Sequence, residues 1–378
     1  MLILHSILYI LIVLLIVYIT IKISFPFWSN QPVFHIYDLP YYMSSPRVIK
    51  ETKPRIEGKY VNIKNILKFN SIIAVKDYQN VMSELLKNNY LRSKTLNYLP
   101  DTNNILPYLE LKDVIILYYL YSDQIIGTIT LRPIDCILKG VIIPLQYVDF
   151  LCVHKEHRKK GIAQKLIGTL YYYQRTTSDY KVSLFKNEGK QRAIIPLTIY
   201  ESNRIKLKGV PKVILHPEYK FIKITNKNIH KLYDIFNSIK QDVDYYISTN
   251  LNNMMILINT DNIELYALYY KENIMSLYYV RNSACYNEYN KEVKEIYCTY
   301  KTPLCSIEYF QNGFLLLLHK LQIEYAECII ESIGHTVKLM RWLELTGYIE
   351  SKDSYLVGYY LYNYIHKTVN SEDLFINI

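Results

Sequence analysis

Residues Leu2–Ile21 form an unbroken apolar run, LILHSILYILIVLLIVYITI, without a charged side chain. Twenty residues of helix reach about 30 Å, the thickness of a bilayer's hydrocarbon core. The run is therefore expected to be a single-pass transmembrane helix. A cleaved signal peptide fits less well, because no basic residue precedes the run and no A-x-A site follows it. Lys22, Arg47, Lys50 and Lys53 all lie on its carboxyl side. That asymmetry puts the body of the protein at the cytoplasmic face.

Beyond the apolar run, Phe25–Ile56 is punctuated by Pro26, Pro32, Pro40, Pro46 and Pro54, so it cannot form a long helix and should lie along another surface. Val81–Asn89 has helical spacing. Val114–Tyr121 and Ile125–Arg132 are apolar, β-branched or aromatic runs on either side of Ser122-Asp123-Gln124, which predicts a hairpin. A strand over Val148–Val153 and a helix over Ile162–Arg175 follow. From about Lys223 the same grammar restarts. Asn228–Ile239 is helical, Ile263–Tyr270 and Ile274–Val280 form a second hairpin across Lys271-Glu272-Asn273, and Gly313–Leu321 and Val337–Leu345 are helical. Tyr355–Tyr364 is a strand. The repetition predicts a duplicated unit, although no literal sequence repeat is present. With no flexible linker between them, the halves should pack as one body.

Composition alters this picture only slightly. The formal charge of +10 suits a polyanionic partner, whether nucleic acid, an anionic membrane or a phosphorylated cofactor. No basic arm, helix-turn-helix or zinc-finger spacing is present, so nucleic acid is not expected. The six cysteines form no C-x-x-C and no cluster with metal-ligand spacing. They read as buried free thiols in a reducing compartment.

The chemistry concentrates in Tyr147–Ala163, YVDFLCVHKEHRKKGIA. A strand ends near Val153, a basic loop follows, and a helix opens at Ile162 and Ala163. The first amides of a helix lack intrahelical acceptors, and the helix dipole adds partial positive charge there. Gly161 allows close backbone approach, and Arg158, Lys159 and Lys160 add charge at the same point. This is a site for a diphosphate. R/Q-x-x-G-x-A after a strand resembles the coenzyme A loop of the N-acetyltransferase superfamily. The alternative is a basic surface turn at a helix start.

The neighbouring residues sharpen the likeness. Phe150-Leu151-Cys152-Val153-His154-Lys155, with Arg158, Lys160 and Ala163, resembles the F-L-C-V-H-K-x-x-R-x-K-x-x-A signature of N-myristoyltransferases. Phe27-Trp28-Ser29-Asn30-Gln31-Pro32-Val33 resembles that family's F-W-x-x-Q-P-V segment, which lies along the bound acyl-CoA. Tyr359-Tyr360-Leu361-Tyr362-Asn363 resembles its terminal Y-Y-L-Y-N strand, and Thr302-Pro303-Leu304 falls where a T-P-L precedes a helix. The resemblance implies an α+β fold of two fused acetyltransferase-like halves. Residues 1–22 would be the anchor, 23–215 the acyl-CoA-binding half and 216–378 the peptide-binding half. It also implies transfer of myristate from myristoyl-CoA to an N-terminal glycine, with no metal or other cofactor. The amides of Phe150 and Leu151 would form the oxyanion hole, and the carboxylate of Ile378 would be the base. Arg158, Lys159, Lys160 and Gly161, with Ile162, Ala163, Phe27 and Trp28, would bind the donor.

The sequence departs from the family pattern mainly on the acceptor side. The family's acidic cluster after N-Y is replaced by Leu91-Arg92-Ser93-Lys94, and its G-x-x-L-P and Y-W-H stretch by Ile194–Ser202. Gly161 stands where the family often has a basic residue. Peptide recognition is therefore expected to differ, with Glu201 a candidate for a contact to the peptide amine. Three simpler expectations stand beside these. His154 is a structural strand-end histidine, Trp28 is an interfacial anchor, and the tyrosine runs at 171–173 and 359–360 are packing. An acetyl-CoA-dependent enzyme and an inactive membrane-bound binder are the alternatives.

Overall fold

The computed structural model describes residues 2–90, 95–189, 193–348 and 350–378. The basic replacement at 91–94 lies outside the described residues. The main helices are α1 (Leu2–Ser24), α2 (Gln79–Asn89), α3 (Ile162–Thr177), α4 (Leu232–Asp242), α5 (Leu251–Asn259), α6 (Ile307–Glu324) and α7 (Thr336–Thr346). The main strands of the first half are β1 (Ile115–Tyr121), β2 (Gln124–Leu138), β3 (Leu145–Val153), β4 (Val182–Glu188) and β5 (Thr198–Lys206). After them come β6 (Tyr219–Lys223), β7 (Tyr245–Ser248), β8 (Ile263–Tyr270), β9 (Asn273–Asn287) and β10 (Glu292–Lys301). The last are β11 (Glu327–Glu331), β12 (Glu350–Tyr362) and β13 (Leu374–Asn377).

Both expected hairpins form. β1 meets β2 at Tyr121↔Gln124, where Ser122 and Asp123 both take positive φ, the backbone twist that two-residue hairpins require. β8 meets β9 at Tyr270↔Asn273. The runs read as continuously apolar because both faces of each strand are covered. Along β1, Ile115, Leu117 and Tyr119 face the cluster that includes Leu166 and Leu170 of α3. The residues between them, Ile116 and Tyr118, join Met82 and Leu86 of α2. β8 repeats the device. Leu265 and Ala267 pack with α4 and α5, while Leu268 packs with Phe310, Phe314 and Leu318 of α6. Burying each such side chain stabilises the fold by about 1.5–3 kcal/mol.

In each half one helix crosses between parallel neighbours: α3 joins β3 to β4, and α6 joins β10 to β11. The sheet path runs β6-β8-β9-β10-β11-β5-β12-β4-β3-β2-β7-β13. Its centre is an exchange. β5, from the earlier part of the chain, pairs with β11 and β12, and β12, from the later part, pairs with β4. The second repeat therefore does not follow the first as a separate block. Strands from the two sides of residue 215 interleave.

The helix α1 is long and apolar enough to cross a membrane and is exposed from His5 to Thr20. Its last turn docks on the body, with Ile21 and Phe25 packed beside Val33, Ile194 and Tyr360. The proline-rich stretch then runs over the surface as expected, with short helical turns at Trp28–Asn30 and Leu39–Tyr42, a two-residue strand at Arg47–Val48 and isolated strand bridges. It crosses α3 at Gly168, where a Cβ would stand 2.5 Å from the carbonyl oxygen of Tyr60. Gly168→Ala should lift this strap and destabilise the fold by about 1–3 kcal/mol. The check is the urea midpoint; an unchanged midpoint would mean that the strap's contact with α3 contributes nothing.

Candidate active site

β3 pairs with β4 only from Leu145↔Val182 to Val148↔Phe185. Beyond that point the strands part, and β3 bulges against β2 between Thr128↔Cys152 and Thr130↔Asp149. Phe150, inside the bulge, has φ +51°. The splay opens a cavity of about 1310 Å³ between the halves. One wall is Phe150, Leu151 and the opening of α3; the opposite wall brings Arg281, Tyr355 and Ile378.

On the first wall, α3 begins after two left-handed residues, Lys159 (φ +62°) and Gly161 (φ +75°). They turn the loop so that the start of α3, where helix amides lack intrahelical acceptors, lies at the cavity. Lys159, Gly161, Ile162 and Ala163 line it. Arg158 lines it too, but its guanidinium is engaged from behind. Its Nε donates to the Val153 carbonyl at 3.2 Å, and Nη2 donates to that of Asn89. Arg158 thus ties the loop to the end of α2, leaving Lys159 as the less constrained cation. Lys160 is exposed and lies outside the cavity wall. His154 Nδ1 caps the short turn after β3 by accepting from the Glu156 amide at 3.4 Å.

Trp28 lines the apolar end, stacked on Phe185 with ring centres 5.5 Å apart. Phe27 is buried behind it, edge-on to Trp28 and Tyr60, and does not reach the cavity. Gln31-Pro32-Val33 docks on the end of β12. The Tyr362 hydroxyl donates to Gln31 Oε1 at 2.6 Å, Val33 bridges Tyr362, and the Asn363 amide donates to the Pro32 carbonyl at 2.6 Å. Asn363 takes φ +64° and ends the strand there, earlier than the apolar run suggests. Segments more than 300 residues apart in sequence thus meet at one place.

The Phe150 amide donates to Oδ1 of the preceding Asp149 at 2.8 Å. Burial raises the Asp149 carboxyl above its ordinary range, with Arg132 opposing. An incoming carbonyl oxygen must therefore displace or share that contact. Glu201 is exposed on β5 and does not line the cavity.

The chain end is drawn in by β13, which runs parallel to β7 in the sheet. Thr249 donates to the Asn377 carbonyl at 2.8 Å, and the Tyr297 hydroxyl donates to Asn377 Oδ1 at 2.7 Å. Ile378 is buried, and its terminal oxygen accepts from Arg281 Nη1 at 3.0 Å. Behind Arg281 lies a cluster that motif reading missed. Arg281 Nε pairs with Glu295 at 3.0 Å and its Nη2 lies 3.8 Å from Glu331; Lys186 pairs with Glu331 and lies 4.0 Å from Glu295. The available signal was a lone charge inside an otherwise apolar strand, as in Tyr279-Val280-Arg281 and Cys328-Ile329-Ile330-Glu331. Burial pushes the Glu331 carboxyl up to about 7, with Lys186 opposing and Glu295 adding to the rise. Glu295 is buried as well, but Arg281 and Lys186 outweigh burial and hold it down to about 2. Among the described residues no group of His, Cys, Asp and Glu is arranged to hold a metal ion.

Residues 76–184, which hold α2, the β1–β3 sheet, α3 and the start of β4, match the family model described as the acetyltransferase (GNAT) domain. No curated protein sequence matches the chain. Among solved structures the chain is similar to N-myristoyltransferase from Saccharomyces cerevisiae with bound myristoyl-CoA. The TM-score is 0.69 at 13% identity, over 93% of this chain and 91% of that one. A structure of the yeast protein with myristoyl-CoA and inhibitors gives a TM-score of 0.72 at 13% identity, over 91% of each chain. This chain therefore has the N-myristoyltransferase fold over nearly its whole length.

The Glu331 proton has a consequence for stability. The folded chain keeps it while an unfolded chain, with an ordinary carboxyl at 4.5, has lost it. That contribution is complete below pH 4.5 and is lost as pH rises to about 7. Glu331→Gln should flatten this part of the pH dependence, a difference of about 3 kcal/mol at most. Urea midpoints at about pH 5 and about pH 7.5 for both proteins check it; parallel curves would mean that Glu331 is already ionised at the lower pH.

Proposed function

We propose that this chain is a membrane-anchored acyltransferase that moves a long acyl group, myristoyl above all, from coenzyme A to the amine of an N-terminal glycine. One observation carries the reading. The three segments resembling N-myristoyltransferases, far apart in sequence, meet around a single cavity that also receives Ile378. The apolar wall of Trp28, Ile167, Tyr171 and Phe185 favours a long chain over acetyl. In this reading residues 23–215 hold the donor and 216–378 receive the acceptor. α1 spans the bilayer, with the body on the cytoplasmic side.

The chemistry follows from these positions. The opening amides of α3 and Lys159 hold the coenzyme A diphosphate. The amides of Phe150 and Leu151 polarise the thioester carbonyl, a contribution of a few kcal/mol for fixed donors of this kind. The carboxylate of Ile378, oriented by Arg281, takes a proton from the incoming ammonium. The freed amine nitrogen attacks the thioester carbon, the C–S bond breaks, and the thiolate leaves and is protonated. On the acceptor side Lys186, Arg204 and Arg281 stand beside Glu188, Glu295 and Asp353. This mixed set supports a peptide preference unlike that of a purely acidic groove.

The full chain in detergent, given labelled myristoyl-CoA or acetyl-CoA and Gly-starting peptides, should acylate the peptide from the myristoyl donor. Removing Ile378 should slow transfer by about 10²-fold or more, the typical worth of a general base. Transfer that survives the truncation would assign the base elsewhere. No transfer from either donor by a folded chain that binds coenzyme A would leave a binder. Asp149→Ala, which frees the Phe150 amide, should raise kcat about fivefold, the worth of one competing hydrogen bond of about 1 kcal/mol. A fall in kcat would instead give Asp149 a role in holding substrate.

A further inference from the structure

The segment Tyr37–Met43, YDLPYYM, has no place in the chemistry above, yet it is unusually apolar for an exposed turn. Leu39 is 62% and Met43 91% exposed. Phe34 holds the turn in shape from below, with the rings of Tyr41 and Tyr42 at 5.9 and 4.9 Å. The only carboxylate in the segment, Asp38, is turned inward, accepting from the His35 amide at 2.9 Å and lying 2.8 Å from His35 Nδ1. The outward face therefore presents Leu39, Tyr42 and Met43 without a carboxylate among them.

Its position is set by α1. The Tyr37 ring packs edge-on to Tyr18 at 5.1 Å. Lys22 Nζ lies over both rings, at 5.3 and 5.7 Å, and donates to the Ser29 carbonyl at 3.4 Å. Tyr18 lies within the span-competent part of α1, His5–Ser24. Lys22, the first charge after the apolar run, is one turn further on, about 6 Å along the helix axis. Tyr37 is therefore held at the level where α1 would leave the hydrocarbon core. That level is the interfacial zone, where tyrosine rings and apolar side chains next to a basic residue are favoured.

We infer that Leu39–Met43 is a foot that rests in the cytoplasmic interface of the same bilayer, so that α1 and the foot together fix the tilt of the body. This rests on the reading of α1 as a membrane span. The consequence reaches the cavity. Ile21 and Phe25, at the base of α1, belong to the same packed cluster as Trp28, Ile167, Tyr171 and Phe185, which line its apolar end. A body held by the foot keeps that end beside the lipid.

The test uses the full chain in phosphatidylcholine vesicles with lipids brominated at shallow or deep positions. Single substitutions Leu11→Trp, Met43→Trp and Ile214→Trp are compared after subtracting the emission of the parent's Trp28 and Trp342. Met43 and Ile214, which is 95% exposed, both tolerate a larger side chain. We expect Leu11→Trp to be quenched best by deep bromines, Met43→Trp to lose most of its added emission to shallow ones, and Ile214→Trp to be unaffected. Met43→Trp as bright as Ile214→Trp, with Leu11→Trp quenched, overturns the foot and leaves the span standing. Leu11→Trp unquenched overturns both.

Discussion

The site depends on one interruption in the hydrogen-bonding of the sheet. β3 and β4 run together for four register pairs and then part at Val148↔Phe185, because β3 bulges against β2 and turns Phe150 into a left-handed conformation. Had the ladder continued, the amides around Phe150 would be spent on β4 and α3 would start against a closed sheet. The parting supplies a cavity and puts the first turn of α3 on its wall. The exchange of β5 and β12 keeps the gap from collapsing, since β4 is held on its far side by β12 and cannot move back towards β3.

The charge behind the site comes from both halves. Lys186 of β4 meets Arg281, Glu295 and Glu331 of the later strands, the two carboxylates buried and the two cations partly so, and ions in such a setting persist only when paired and hydrogen-bonded. Such a cluster adds little net stability, but it fixes the direction of the Arg281 guanidinium. Arg281 in turn holds the terminal oxygen of Ile378. The same low-dielectric setting makes two adjacent carboxylates share one proton, which is why Glu295 and Glu331 shift in opposite directions.

Much of this was legible in the sequence where a local rule applied. The two hairpins, the apolar run of α1, and the helices α2, α3, α6 and α7 follow from period and turn chemistry. The loop ending at Gly161 follows from the close backbone approach that glycine allows where a helix opens; its left-handed turn at Lys159 and Gly161 is visible only in the fold. What was not legible depends on partners distant in sequence. β4, β5 and β11 are mixed in character, and their pairing is decided by the exchange rather than by their own pattern. Asp149 reads as an ordinary strand residue, and nothing local says that its carboxylate takes the Phe150 amide. Arg158 and Lys160 look equivalent to Lys159 in a basic loop. Only the fold separates a cation tied to the end of α2, one turned to solvent, and one beside the cavity.

The interleaving of β5 and β12 also governs how the chain must be made. A ribosome releases Lys206 long before Glu350, an interval on the order of ten seconds at ordinary elongation rates. Throughout it β4 waits with one edge unfilled, and β5 with both until β11 has been made, since β12 is their shared neighbour and β11 is the other neighbour of β5. Open strand edges of this kind recruit stray partners, including other nascent copies of the same chain. The N-terminal portion is thus a template awaiting its insert.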